Sequence, residues 1–194
     1  INSVAKSLNA QEKRNAKYSG LFKQFCVSKS TERLAFFRQY GIFSANDFSR
    51  MNEVQFMADL IINLMDGLTS YSSKKLDDYY IKYDTEFASA EDLSIRLEKL
   101  FDFIIQLEPT VIKDTIFQRP PIFFSLLIAL NENIENVKID KVQQGLIEID
   151  ARYNIEEVEN KEVEDIDFYN AVSATTQGQK QREIRDRYIK KYIL

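Results

Sequence analysis

The chain has 194 residues, 44% of them hydrophobic and 29% charged, with a net charge of −4, which excludes a disordered chain and leaves material for one domain or two small ones. Histidine is absent and Cys26 is the single cysteine. This excludes a Ser-His-Asp triad, a Cys-His dyad, an HNH nuclease, a zinc finger and any internal disulfide. With Gly 5 and Pro 3, no phosphate-cradling Gly loop or nucleophile elbow occurs. No apolar run reaches the ~18 residues of a membrane span, so no membrane association is expected, and the cysteine usage fits a reducing cytoplasm.

The first element is written in Leu8 to Gly20. Asn9 followed by Glu12 reads as a capping box, which predicts a helix through Lys17 that stops near Gly20. Leu21, Phe22, Phe25 and Cys26 recur at helical spacing, and Cys26 reads as a small buried hydrophobe. Ser30 or Thr31 is expected to cap a helix lined by Leu34, Phe37 and Tyr40 and closed by Gly41. After a short connection with one turn at Asn46, Asn52 and Gln55 are expected to cap a strong helix. Val54, Met57, Leu60, Ile61, Leu64 and Met65 give it an apolar stripe, with Asp59, Asn63 and Asp66 on the opposite side and Gly67 as the stop.

Leu76, Tyr79, Tyr80 and Tyr83 follow the i, i+3, i+4, i+7 rule. Such a stripe either stacks nucleobases or packs with wet hydroxyl tips, and packing is the commoner use. Ser89 is expected to cap a long helix whose Leu93, Leu97, Leu100, Phe101, Ile104 and Ile105 face inward, ending at Pro109. Pro120-Pro121 opens a helix that is apolar on nearly every side, expected to be the central one. An amphipathic helix over 141–153, an acidic loop over 154–164, a helix over 166–172, a polar linker over 175–179 and a basic helix over 180–192 complete the chain. No period-2 strand pattern of any length occurs. The fold class expected is all-α, an irregular multi-helix bundle of about nine or ten helices.

Charge is uneven. Residues 1–50 carry about six more positive than negative charges, 148–167 is acidic, and 180–191 is basic again. Candidate nucleic-acid contacts are therefore Arg14 and Asn15 in the opening motif and Arg182, Arg185, Arg187 and Lys190 in the last helix, whose guanidinium, ammonium and amide groups suit phosphates and base edges. The competing reading is a cap with a surface salt bridge at the start and a solvated face at the end, pairing with the acidic loop. Asp77-Asp78 with Asp84 and Glu86, and Asp59 with Asp66, are the acid pairs to consider for magnesium. They read more simply as solvated helix faces. No catalytic residue, metal or cofactor is expected.

The opening motif resembles the domain of unknown function 262, a ParB/sulfiredoxin-like domain of the GmrS part of modification-dependent restriction systems and of related anti-phage proteins. Leu8, Asn9, Gln11, Glu12, Arg14, Asn15, Ala16 and Gly20 match its Leu-Asn-x-Gln-Glu-x-Arg-Asn-Ala…Gly stretch. Ile1-Asn2 resembles the tail of the preceding element. Arg50-Met51-Asn52, Leu60, Leu76 to Tyr80, Phe168 to Ala174 and Arg182 to Arg187 are similar to its helical continuation. The family's Asp-Gly-Gln-Gln-Arg motif and HNH module do not occur in the chain. The resemblance implies a helical region over 1–174 that continues an N-terminal catalytic domain, with 175–194 as a basic helix packed on it. Its NTPase or nuclease activity is not assigned to these residues. Two readings stay open: a non-catalytic region of a bacterial defence protein that contacts DNA, and a helical scaffold for a protein partner.

Overall fold

The computed structural model describes residues 7–155 and 162–194. Among them there are eleven α-helices and two short 3₁₀ turns, and no strand. The centre is α8 (Pro120–Asn131), whose residues from Ile122 to Leu130 are all buried. A helix without a polar face must be covered on every side. α5 (Asn52–Asp66), α7 (Ala90–Ile105) and α11 (Gln179–Ile193) supply that cover. Its entry is fixed by Pro120 and Pro121, whose missing N–H groups have no intrahelical role in the first turn.

The N-terminal half wraps α5. α1 (Ala10–Lys17) is held by the expected capping box, with the Glu12 N–H donating to Asn9 Oδ1 at 2.8 Å and the Asn9 N–H to Glu12 Oε2 at 2.6 Å. α2 (Leu21–Glu32) runs through Ser30 and Thr31 instead of stopping before them. Both hydroxyls donate back to carbonyls one turn earlier, so neither caps α3 (Leu34–Gln39). α4 (Ala45–Ser49) is the single turn expected near Asn46. Asn52 is not the cap of α5. Met51 stands there in the left-handed region, and the Asn52 amide donates to Asp47. Gly20 does not end α1 but precedes α2, where the backbones close up: Leu21 N–H donates to the Asp84 carbonyl at 2.8 Å, and a Cβ on Gly20 would meet the Asp84 backbone at 2.4 Å.

The tyrosine stripe lies on α6 (Ser73–Lys82) and packs. Tyr79 and Tyr80 are buried against Phe22, which also meets Phe87 edge-on. Deeper in, Phe123 sits with Phe36, Phe56 and Phe101 at centroid distances of 5.8 to 6.2 Å. α7 buries its expected face except Ile105, which is exposed although Ile104 before it and Leu107 after it are buried. Cys26 is fully buried, and burial pushes its thiol well above the usual range, which makes it unreactive.

The C-terminal half is α9 (Ile139–Tyr153), α10 (Val163–Ser173) and α11. α11 packs on α8, α9 and α10 and buries Tyr188, Ile189, Tyr192 and Ile193. It crosses α9 at Gly145, where a Cβ would lie 2.6 Å from the Tyr192 carbonyl oxygen. Most of the acidic loop expected over 154–164 lies outside the described residues; its end, Val163 onward, is already helical. No described helix is long and apolar enough to cross a membrane.

Candidate functional site

The residues of the opening motif are spent within the fold. The Arg14 side chain is buried; its Nε donates to Asp77 at 2.9 Å and its Nη2 to the Ser73 carbonyl at 3.0 Å and to the Ser73 hydroxyl. Gln11 donates to the Tyr80 hydroxyl, Asn9 to the Arg50 carbonyl, and Glu12 pairs with Arg50. These bonds tie α1 to α6 and to the turn before α5. Asn15 is half-buried, and its carbonyl accepts from Lys23. Replacing Asn9 by Ala removes a cap and an inter-element bond together. We expect a loss of about 1–2 kcal/mol in urea unfolding, at the upper end for a cap.

The basic helix is likewise not an outer face at its first two arginines. Arg182 is buried and forks onto Asp59, Nη2 to Oδ2 at 2.5 Å and Nη1 to Oδ1 at 3.2 Å, with Nη1 also donating to the Thr69 carbonyl. Arg185 is fully buried and donates to the Ser125 hydroxyl and to the Ala171 and Thr176 carbonyls at 2.7 to 2.8 Å. Burial, with Arg182 and Arg119 nearby, pushes its pKa down to about 10, so it stays charged at neutral pH. Lys190 is half-buried between Glu132 and Asp186. Arg187 is exposed and makes no ion pair among the described residues. The expectation that Arg182 and Arg185 lie on an outer face of the last helix is corrected, since both are withdrawn from solvent, as is Arg14 at the start of the chain. The pairing of the tail with the acidic segment does occur, as Lys191–Glu164 and Tyr188–Asp165.

Asp59 and Asn63 also correct the sequence reading. They lie inside because α5 is covered on two sides, so the face opposite its apolar stripe is not solvated. Asn63 fills the remaining valences: its amide donates to Asp59, and its oxygen accepts from the Thr69 N–H. Burial raises the Asp59 carboxyl above its usual value against the opposing pull of Arg182. Among the described residues no group of three or more His, Cys, Asp or Glu is placed to hold a metal ion. Asp77 is engaged by Arg14, and Asp78 by Lys74.

The Asp59–Arg182 ion pair forms part of the wall of a cleft of about 300 Å³ between α5, α8 and α11. Its apolar surface is Phe43, Phe56, Phe124, Pro120 and Pro121, with Tyr71 at the rim. Asp47, Asn52, Gln55, Thr176 and Gln177 add polar groups. Two loops build the rim. The 67–72 connection carries Tyr71, the 174–178 connection carries Gln177, and they are joined by Tyr71 N–H to the Gln177 carbonyl and Gln179 N–H to the Ser70 hydroxyl, both at 2.9 Å. The Arg182 guanidinium lies over the Phe124 ring at 4.3 Å, and its Nε–H is buried without an acceptor, at a cost of ~1–3 kcal/mol for such a group. A concave site with aromatic walls, a few convergent polar groups and perturbed ionisable residues is the default recognition site of a fold.

Sequence reasoning places Arg182, Arg185 and Asp59 in the wrong environment, on solvated faces, and gives no sign of Gln55, Tyr71 and Gln177 as site residues. No local signal joins them, because Asp59 and Arg182 are 123 positions apart. With this geometry in view, comparison with family models, curated proteins and solved structures gives no match to the chain.

Proposed function

We propose that the chain is the non-catalytic helical recognition region of a GmrS-like restriction or anti-phage protein, working with a catalytic domain of the same parent in the bacterial cytoplasm. The observation that carries this reading is the use of the motif. Asn9, Gln11, Glu12 and Arg14 are all engaged in holding α1 onto α6 and the turn before α5, which supports an architectural use of the residues that resemble the family. The cleft between α5, α8 and α11 is then the recognition surface of the region.

The test is turnover by the purified chain. With ATP or GTP and magnesium, and with plasmid DNA, no product is expected above the buffer rate. Hydrolysis or cleavage that co-purifies with the chain overturns the reading.

A protein scaffold with no nucleic-acid role is the second reading, favoured by the internal engagement of Arg14, Arg182 and Arg185. Phosphate contacts make affinity fall steeply with salt. Under the first reading, single-stranded DNA binds at low ionic strength with a shallow salt slope. Failure of any nucleic acid to bind there decides for the scaffold.

A further inference from the structure

We propose that the cleft binds a single unpaired nucleobase, taken up as a neutral planar ligand; this deepens the reading of the cleft as the recognition surface and rests on it. Charge is the first argument. The Arg182 guanidinium is closed by the Asp59 carboxylate, Arg185 is wholly buried with its N–H groups engaged, and Asp47 adds a negative charge at the edge. Two cations face two anions, and neither guanidinium is offered to a phosphate or a carboxylate. The ligand that fits is uncharged in the part that enters.

Shape is the second. Phe56 and Tyr71 are half-buried rings in the lining, backed by the buried Phe43 and by Phe124, one face of which Arg182 covers, and the Tyr71 hydroxyl bonds no group among the described residues. Aromatic surfaces of this kind hold the face or edge of a planar ring. The volume lies at the small end of ligand sites, ~300–1,000 Å³, which suits one heterocycle and not a folded peptide.

Hydrogen bonding is the third. Among the described residues the side-chain amides of Gln55 and Gln177 have no partner, and the Asn52 oxygen has none while its nitrogen is held by Asp47. An amide offers a donor and an acceptor side by side, which is the pattern on a base edge. A peptide backbone would need a row of main-chain groups along one edge, whereas the cleft supplies separate side-chain amides.

The surroundings extend the site. A shallow hollow of about 460 Å³ adjoins the cleft at Tyr71, Thr176 and Gln177 and continues over Ser70, Thr175 and Gly178. Hydroxyls and main-chain groups there suit a sugar. A base inside a duplex is stacked and paired, so only one swung out of the stack, or one in a single strand, can enter.

The test uses the whole chain with adenosine, guanosine, cytidine and thymidine as probes, followed by saturation-transfer NMR and calorimetry. At least one nucleoside is expected to bind with a Kd of about 1 mM or tighter. Gln55→Ala, at a partly exposed position, is expected to melt like the parent, and Tyr71→Ala, which also loses packing on the core, to fold and melt somewhat lower; both are expected to weaken that binding at least about tenfold. A single-stranded oligonucleotide is expected to compete and its duplex is not. Binding that survives both substitutions, or that appears only with the nucleoside monophosphates and vanishes with salt, overturns the assignment. N-acetyl-phenylalaninamide serves as the control probe. If it binds in a Tyr71-dependent way while no nucleoside does, the cleft stands as a recognition site and the nucleobase assignment falls; if neither binds, both fall.

Discussion

Replacing Arg182 by Met is expected to cost about 3–5 kcal/mol at neutral pH, the loss typical of leaving a buried charge without its partner. The reason is Asp59. Its side chain is only 11% exposed, and among the described residues Arg182 is the one guanidinium that forks onto it. Already in the parent chain burial raises the Asp59 carboxyl despite the arginine; without the arginine it rises further. A carboxyl whose folded value lies above its unfolded value contributes most below the unfolded value and loses that contribution as pH rises through the folded value. Urea midpoints of Arg182→Met should therefore recover toward the parent as the pH is lowered through the Asp59 transition. The double change Asp59→Leu with Arg182→Met should regain most of the loss at neutral pH, since apolar replacement of both partners of a buried pair is often neutral or better. A single variant as stable as the parent at pH 7, or a double variant no better than the single, would refute this account of the pair.

Phe123→Ala is expected to lose about 3–5 kcal/mol and Val163→Ala less than about 0.5 kcal/mol. Phe123 is fully buried in the central helix and touches three aromatic rings from three other helices, so its removal opens a cavity that none of them fills alone. Val163 is 76% exposed at the start of α10. Phe123→Leu should lie between them, because it keeps part of the volume. Denaturant unfolding of the three variants, read at constant slope, checks the order. An equal effect at positions 123 and 163 would deny α8 its place at the centre.

Both predictions turn on the same division between what is local and what is not. The α8 sequence Pro-Pro-Ile-Phe-Phe-Ser-Leu-Leu-Ile-Ala-Leu allows no solvent face, so its central position is legible from eleven residues. The capping box at Asn9 and Glu12 is legible from four, because cap chemistry is confined to one turn. Cap signals fail where the polar side chain has another use: the Ser30 and Thr31 hydroxyls bond backward into their own helix, and the Asn52 amide donates to Asp47. Those outcomes depend on where the neighbouring turn lies, which the local sequence does not state.

The site shows the limit more sharply. The opening motif was legible as polar, yet its polarity faces Asp77, Ser73, Tyr80 and Arg50 rather than solvent. The basic stretch 180–191 was legible as charge, but charge along one helix does not reveal which turns a neighbour covers. Arg187 is outside and Arg185 inside, two residues apart.

By itself the sequence determined the helices, their order and the buried core, because periodicity and turn chemistry act over one or two turns of chain. Only the tertiary structure decided which charges are solvated and which are closed on one another. Asp59 and Arg182 meet only after α5, α8 and α11 have packed, and the energy of a charge is set by the medium around it rather than by its neighbours in the chain. The cleft arises in the same way, from two loops brought together by the helices they connect.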